Sequence, residues 1–108
     1  MDMNVYQRRA SNTAIYPDAG FGSTGGLTYT ALGLAGEAGE FANKVKKIHR
    51  DHQSDEEGMV LELGDVLWYV AQAASELGYD LADIAKINLR KLELRREAGK
   101  LGGSGDGR

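Results

Sequence analysis

Residues 36 to 40 read GEAGE and residues 61 to 65 read LELGD, which gives the chain two acidic pairs at i,i+3 spacing, Glu37/Glu40 and Glu62/Asp65. Residues three apart lie on one face of a helix, so two facing helices equipped in this way bring four carboxylates together. At close range such groups repel and raise each other's pKa unless a cation neutralises them. Oxygen-only donors of this kind suit Mg²⁺, with Mn²⁺ as a substitute. The residues alone leave a second arrangement open, a structural salt-bridge network of the same acids with Lys44, Lys47 or Lys91.

The elements that must carry these pairs can be read from periodicity. Ala31, Leu34, Ala38, Phe41, Val45 and Ile48 recur at spacings of three and four, which predicts a helix from about Leu27 to His49. Gly33, Gly36 and Gly39 fall near one side of it. They are either tolerated helix glycines, each costing about 1 kcal/mol relative to Ala, or a place where another backbone comes close. Ser54 followed by Glu57 fits an N-cap with a capping box, opening a second helix over about Asp55–Leu77 that stops at Gly78. On its wheel Glu62, Asp65, Tyr69, Gln72 and Glu76 share one narrow sector, and most of the remaining circumference is apolar or small. The pattern predicts a helix buried between neighbours with its acidic stripe lining a cleft.

Asp80 is placed to cap a third helix, running to about Glu97. Asp83, Lys86, Arg90, Glu93 and Glu97 form its charged face, opposite Leu81, Ile84, Ala85 and Leu92. Asn88, Lys91 and Arg95 fall on or beside the apolar side, and the wheel therefore predicts that they turn inward. An unpaired buried donor costs about 1 to 3 kcal/mol, so these groups need acceptors such as phosphate oxygens or the carboxylates. Ahead of the long helices, residues 4–13 suggest a short helix, and Gly20, Gly22, Gly25 and Gly26, with the only Pro at 17, mark a loop. No strand-type alternation occurs. The fold expected is all-α, one domain over residues 1–108, with residues 1–26 as N-terminal helix and loop and 98–108 as a flexible tail.

Composition narrows the function further. The net charge of -3 supplies no basic field for a polynucleotide, so any bound anion is small and locally gripped. With no Cys, a thiolate site or a disulfide framework is excluded. There is no apolar leader in MDMNVYQRRA and no run approaching the roughly 18 apolar residues of a membrane span, which points to a cytoplasmic protein. A di-iron carboxylate bundle requires Glu-x-x-His motifs, whereas His49 and His52 stand at a helix end and in the loop after it. GFGSTGG lacks the Lys of a P-loop, and Trp68 and Tyr69 are either core residues or a stacking surface for a base.

Three ordered runs, LGLAGEAGEFANKVKK, ELGDVLWYVA and INLRKLELRREAGKLGGSGDGR, closely resemble the MazG-like all-α nucleoside triphosphate pyrophosphohydrolases. The resemblance covers about residues 27–108, and YQRRASNTAIYP resembles the start of short single-domain members. It implies an ExxE…ExxD set, here Glu37, Glu40, Glu62 and Asp65, on Mg²⁺, and cleavage of a nucleoside triphosphate to the monophosphate and pyrophosphate. Gly36 stands where the stricter form of the motif has a further Glu. Under this reading Glu37 or Glu40 is the base, and Asn88, Lys91 and Arg95, with Lys44 or Lys47, hold the phosphates. A homodimer or homotetramer that completes the helical bundle is also implied. So is a C-terminal tail in which Lys100, Asp106 and Arg108 close over substrate. The alternative is a catalytically silent regulator of the same fold that binds a nucleotide or a protein.

Overall fold

Three of the helices begin where a short polar side chain accepts a backbone hydrogen bond from the first turn. In the computed structural model, which describes residues 1–99, α1 spans Met3–Ala10, α2 Thr24–Asp51, α3 Glu56–Leu77 and α4 Leu81–Glu97. A 3₁₀ turn, Ser11–Thr13, continues α1. Asp2 caps α1 through Val5 N, Ser23 caps α2 through Gly26 N, and Asp55 caps α3 through Gly58 N. The cap of α3 is thus Asp55, one residue later than the expected Ser54 box, because its carboxylate accepts from Gly58 N at 2.9 Å and from Lys44 Nζ at 3.2 Å. Gly78, at φ +77°, ends α3 in the left-handed conformation, with Tyr79 N bonded to Ala74 O.

Asp80 occupies the N-cap position of α4 as expected, but its side chain makes no capping bond. The donors at that helix start are satisfied from α1 instead: Leu81 N donates to Gln7 Oε1 at 2.9 Å and Ala82 N to Asn4 Oδ1 at 3.0 Å. Gln7 Nε2 also donates to Tyr79 O and Ser75 Oγ, which ties α1 to the α3–α4 corner. Among the described residues there is no strand, so the fold is all-α.

Packing is concentrated between α2 and α3, while α4 touches α1 and α3. The fully or nearly enclosed apolar side chains are few: Ala10, Tyr16, Ala71, Ala74 and Leu81. Val60, Leu61, Leu63 and Leu67 of α3 and Ile87, Leu89 and Leu94 of α4 are exposed. The wheel's expectation of an α3 surrounded by neighbours is therefore met on one side only, because within one chain α2 and α1 cover a single flank. The same cause corrects the expected inward turn on α4. Asn88 and Lys91 are exposed, since α4 docks most closely through its first turns, at Leu81, Ala82, Ile84 and Ala85, whereas Arg95 and Leu92 further along are half-buried. No helix among the described residues is long and apolar enough to cross a membrane. Lys100, Asp106 and Arg108 lie outside the described residues.

Candidate metal and phosphate site

The α2–α3 contact brings the acids together. Glu37 from α2 and Glu62 and Asp65 from α3 each offer a carboxylate oxygen within 4.8 Å of the other two. Glu40, one turn along α2, is exposed and stands outside this close trio, yet near enough to add to the negative potential at Glu37. Burial pushes the Glu37 carboxyl above its usual range, and the hydrogen bond with Glu62 and the charges of Asp65, Glu62 and Glu40 push it the same way. The field extends to the phenols around it. Tyr69 is raised by burial and by its neighbour Tyr29, and also by Glu37 and Asp65; Tyr6 is raised by burial and then by Asp65.

No cation from the sequence's alternative network answers this charge. Lys44 is paired with Asp55 at 3.2 Å, and Lys47 is close enough to Asp51 and Asp55 to act on both, so these two lysines serve the α2–α3 turn. Arg50 pairs with Asp51 and Arg90 with Glu93. Lys91 and Arg95 line a groove of about 620 Å³ on the flank of α4, together with Ile87 and Leu94. That groove is larger than the acidic one, but among the described residues it is lined from α4 and Ala98 just after it, and no acid of the trio borders it. An oxygen-only cluster that the ion pairs of Lys44, Arg50 and Arg90 leave aside fits a hard divalent cation.

A cavity of about 390 Å³ opens on the acids, lined by Thr13, Glu37, Asp65, Trp68 and Tyr69. It falls in the range of about 300–1,000 Å³ usual for small-ligand sites. The Trp68 ring is edge-on to Tyr69, with centroids 4.9 Å apart, and its Nε1 donates to Thr13 Oγ1 at 2.9 Å and Ala10 O at 3.2 Å. Tyr69 packs against α2 at Gly33, where a Cβ would overlap the phenol ring. Of the three-residue glycine series, then, Gly33 has a packing reason, whereas a Cβ at Gly36 or Gly39 would meet nothing within 4 Å. Tyr69 carried a sequence signal, four residues after Asp65 in the acidic sector; Thr13 carried none.

Residues 26–99 match the MazG nucleotide pyrophosphohydrolase domain, a stretch that contains α3, α4, nearly all of α2 and every acid of the cluster. This chain belongs to the MazG nucleotide pyrophosphohydrolase family. Over its whole length it is also 50% identical to the Gene 37 protein of Mycobacterium phage L5, in an alignment of 114 residues that spans all of both chains. No solved structure matches it with significance. Helix α1 and the glycine-rich loop lie ahead of the matched MazG stretch, although α1 supplies the cap of α4 and the loop is tied to α3. His49 and His52, expected to have no part in the chemistry, are both exposed at the far end of α2.

Proposed function

We propose that this protein is a Mg²⁺-dependent pyrophosphohydrolase of nucleoside triphosphates, acting on the cytoplasmic nucleotide pool. The observation that carries the reading is the meeting of Glu37, Glu62 and Asp65 from two helices, within the family-matched stretch, while Lys44, Arg50 and Arg90 are paired with other acids. Glu37, Glu40, Glu62 and Asp65 would hold Mg²⁺, or Mn²⁺ in its place. When bound, the metal neutralises phosphate charge and lowers the pKa of a water. The chain's own part is to position the triphosphate so that water attacks the α-phosphorus, the bond to the bridging oxygen breaks, and pyrophosphate leaves. The water's proton goes to Glu37 or Glu40; Glu40, outside the close trio, is the less committed of the two. In this reading Asn88, Lys91 and Arg95, with Lys44 or Lys47, hold the phosphates, and because Lys91 and Arg95 line a groove apart from the acids within one chain, they would do so across the contact with a second copy.

Incubation with a panel of canonical and modified nucleoside triphosphates in Mg²⁺, read by chromatography, should yield monophosphate and pyrophosphate in equal amounts. Nucleotide binding without product would replace this reading by the silent regulator. Release of inorganic phosphate alone would mean cleavage at a different bond.

A homodimer or homotetramer belongs to the same proposal. The exposed apolar side chains of α3 and α4, Val60, Leu63, Leu67, Ile87 and Leu94 among them, would be covered by a second copy, bringing further helices beside the acidic cavity. Light scattering at micromolar concentration should give a mass of at least two chains, and a monomer there would sink it.

A further inference from the structure

Glu76 is a carboxylate that the proposed chemistry does not use. It belongs to the acidic sector of α3 but lies about three turns beyond Asp65, is only 6% exposed, and stands outside the Glu37–Glu62–Asp65 trio. Its hydrogen-bond partners all come from the segment ahead of α2: the Tyr16 hydroxyl and Gly20 N, which donates at 2.8 Å, meet Oε2, and Gly22 N donates to Oε1 at 3.1 Å. Gly26 permits the approach, since a Cβ there would come within 2.7 Å of Oε1. Tyr16, held at its hydroxyl, stacks on Tyr29 with centroids 4.7 Å apart and planes 8° apart. Its ring also meets Trp68 edge to face, at 6.2 Å and 81°. Trp68 is gripped on another side by Thr13 and Ala10 of the same segment, and both Thr13 and Trp68 line the acidic cavity.

We infer that Glu76 is a positioning residue for the acidic cavity: through Tyr16 it anchors residues 10–22 and thereby fixes the Thr13–Trp68 wall against which the substrate rests. This rests on the function proposed above. A ring already committed to two hydrogen-bond acceptors offers the ligand a surface and not a donor, so its contribution depends on where it is held. Loosening the anchor therefore weakens substrate capture more than turnover.

Trp68 is the single tryptophan, so its fluorescence reports this wall and nothing else. Tyr16→Phe removes the hydroxyl and keeps the ring, while Glu76→Gln places an amide N–H₂ against backbone donors. Gln7→Ala weakens the remote α1–α4 corner and serves as the comparison for general loosening. Loss of one hydrogen bond shifts an equilibrium by about 2- to 10-fold. KM for the triphosphate is expected to rise by about that factor in Tyr16→Phe and Glu76→Gln, with kcat nearly unchanged and the double variant no worse than the weaker single. Acrylamide should quench Trp68 more readily in these two than in wild type or Gln7→Ala. Unchanged quenching, or an identical KM rise in Gln7→Ala, overturns the inference. If the wild-type protein turns over no triphosphate, the proposed function fails, and the quenching comparison decides this inference alone.

Discussion

Glu62→Gln and Asp65→Asn should each reduce Mg²⁺-dependent pyrophosphate release by about 10³-fold or more, while the metal-free proteins melt no lower than wild type. The two halves of this expectation come from one geometry. Glu62 and Asp65 bring oxygens within 4.8 Å of each other and of Glu37, and no ion pair of Lys44, Arg50 or Arg90 reaches them. A group of like charges costs stability in the absence of a cation, so removing one charge at nearly constant shape relieves repulsion. The same removal takes away a metal oxygen that no neighbour replaces. A residue whose role was to support the fold would show the reverse pattern, a lower melting temperature with residual turnover. Steady-state kinetics and thermal melts in EDTA, on the same preparations, separate the two. Turnover within a few-fold of wild type in either variant would remove these residues from the chemistry.

The acids were legible in the sequence because helix periodicity is a one-dimensional signal: spacing places Glu62, Asp65 and Tyr69 on one face whatever packs there. The end of α3 was legible for a similar reason, since Gly78 acts locally. What the pattern missed depends on contacts between residues distant in the chain. The cap of α4 is built by Asn4 and Gln7, more than seventy residues away, and local composition made Asp80 the obvious choice. Glu76 shares the acidic sector but is drawn to Tyr16 and the glycine-rich loop, a partner about sixty residues earlier that no periodicity announces.

The expected inward turn of Asn88 and Lys91, though not of the half-buried Arg95, failed within one chain for a different reason. A wheel identifies a face that is suited to burial but not what buries it, and the one buried residue of α4 among those described is Leu81, at its start. The same limit applies to Val60, Leu63 and Leu67: their apolar character was visible, and their exposure in a single chain was not. Both discrepancies lie on exposed faces of α3 and α4, the faces that the proposed second copy would cover.

Excess Mg²⁺ should raise the thermal midpoint by about 10 °C or more relative to EDTA near neutral pH, and the rise should shrink as the pH is lowered towards 4.5. A ligand that binds only the folded state stabilises it by mass action, about 2.7 kcal/mol at a concentration one hundred times Kd, and in a chain of this size each kcal/mol moves the midpoint by about 4–8 °C. The pH dependence follows from Glu37. Its folded pKa is raised above the ordinary value of 4.5, first by burial and then by its acidic neighbours. Its contribution to stability in the metal-free protein is therefore full below 4.5 and is lost as pH rises through the folded pKa. Metal must displace the proton that this environment favours, so the metal-induced shift grows over that same window. Glu76 has the opposite sign. Burial alone would raise it, but the hydrogen bonds from Tyr16, Gly20 and Gly22 outweigh burial and hold it below 4.5. Its stabilisation is present above 4.5 and lost as pH falls through the lower folded value, with or without metal. Scanning calorimetry across pH 4 to 8 in EDTA and in MgCl₂ should thus show two curves that converge on the acid side and separate towards neutrality, and Glu62→Gln should abolish the separation. A metal shift independent of pH, or one that persists in Glu62→Gln, would mean that the cation binds somewhere other than the Glu37–Glu62–Asp65 cluster.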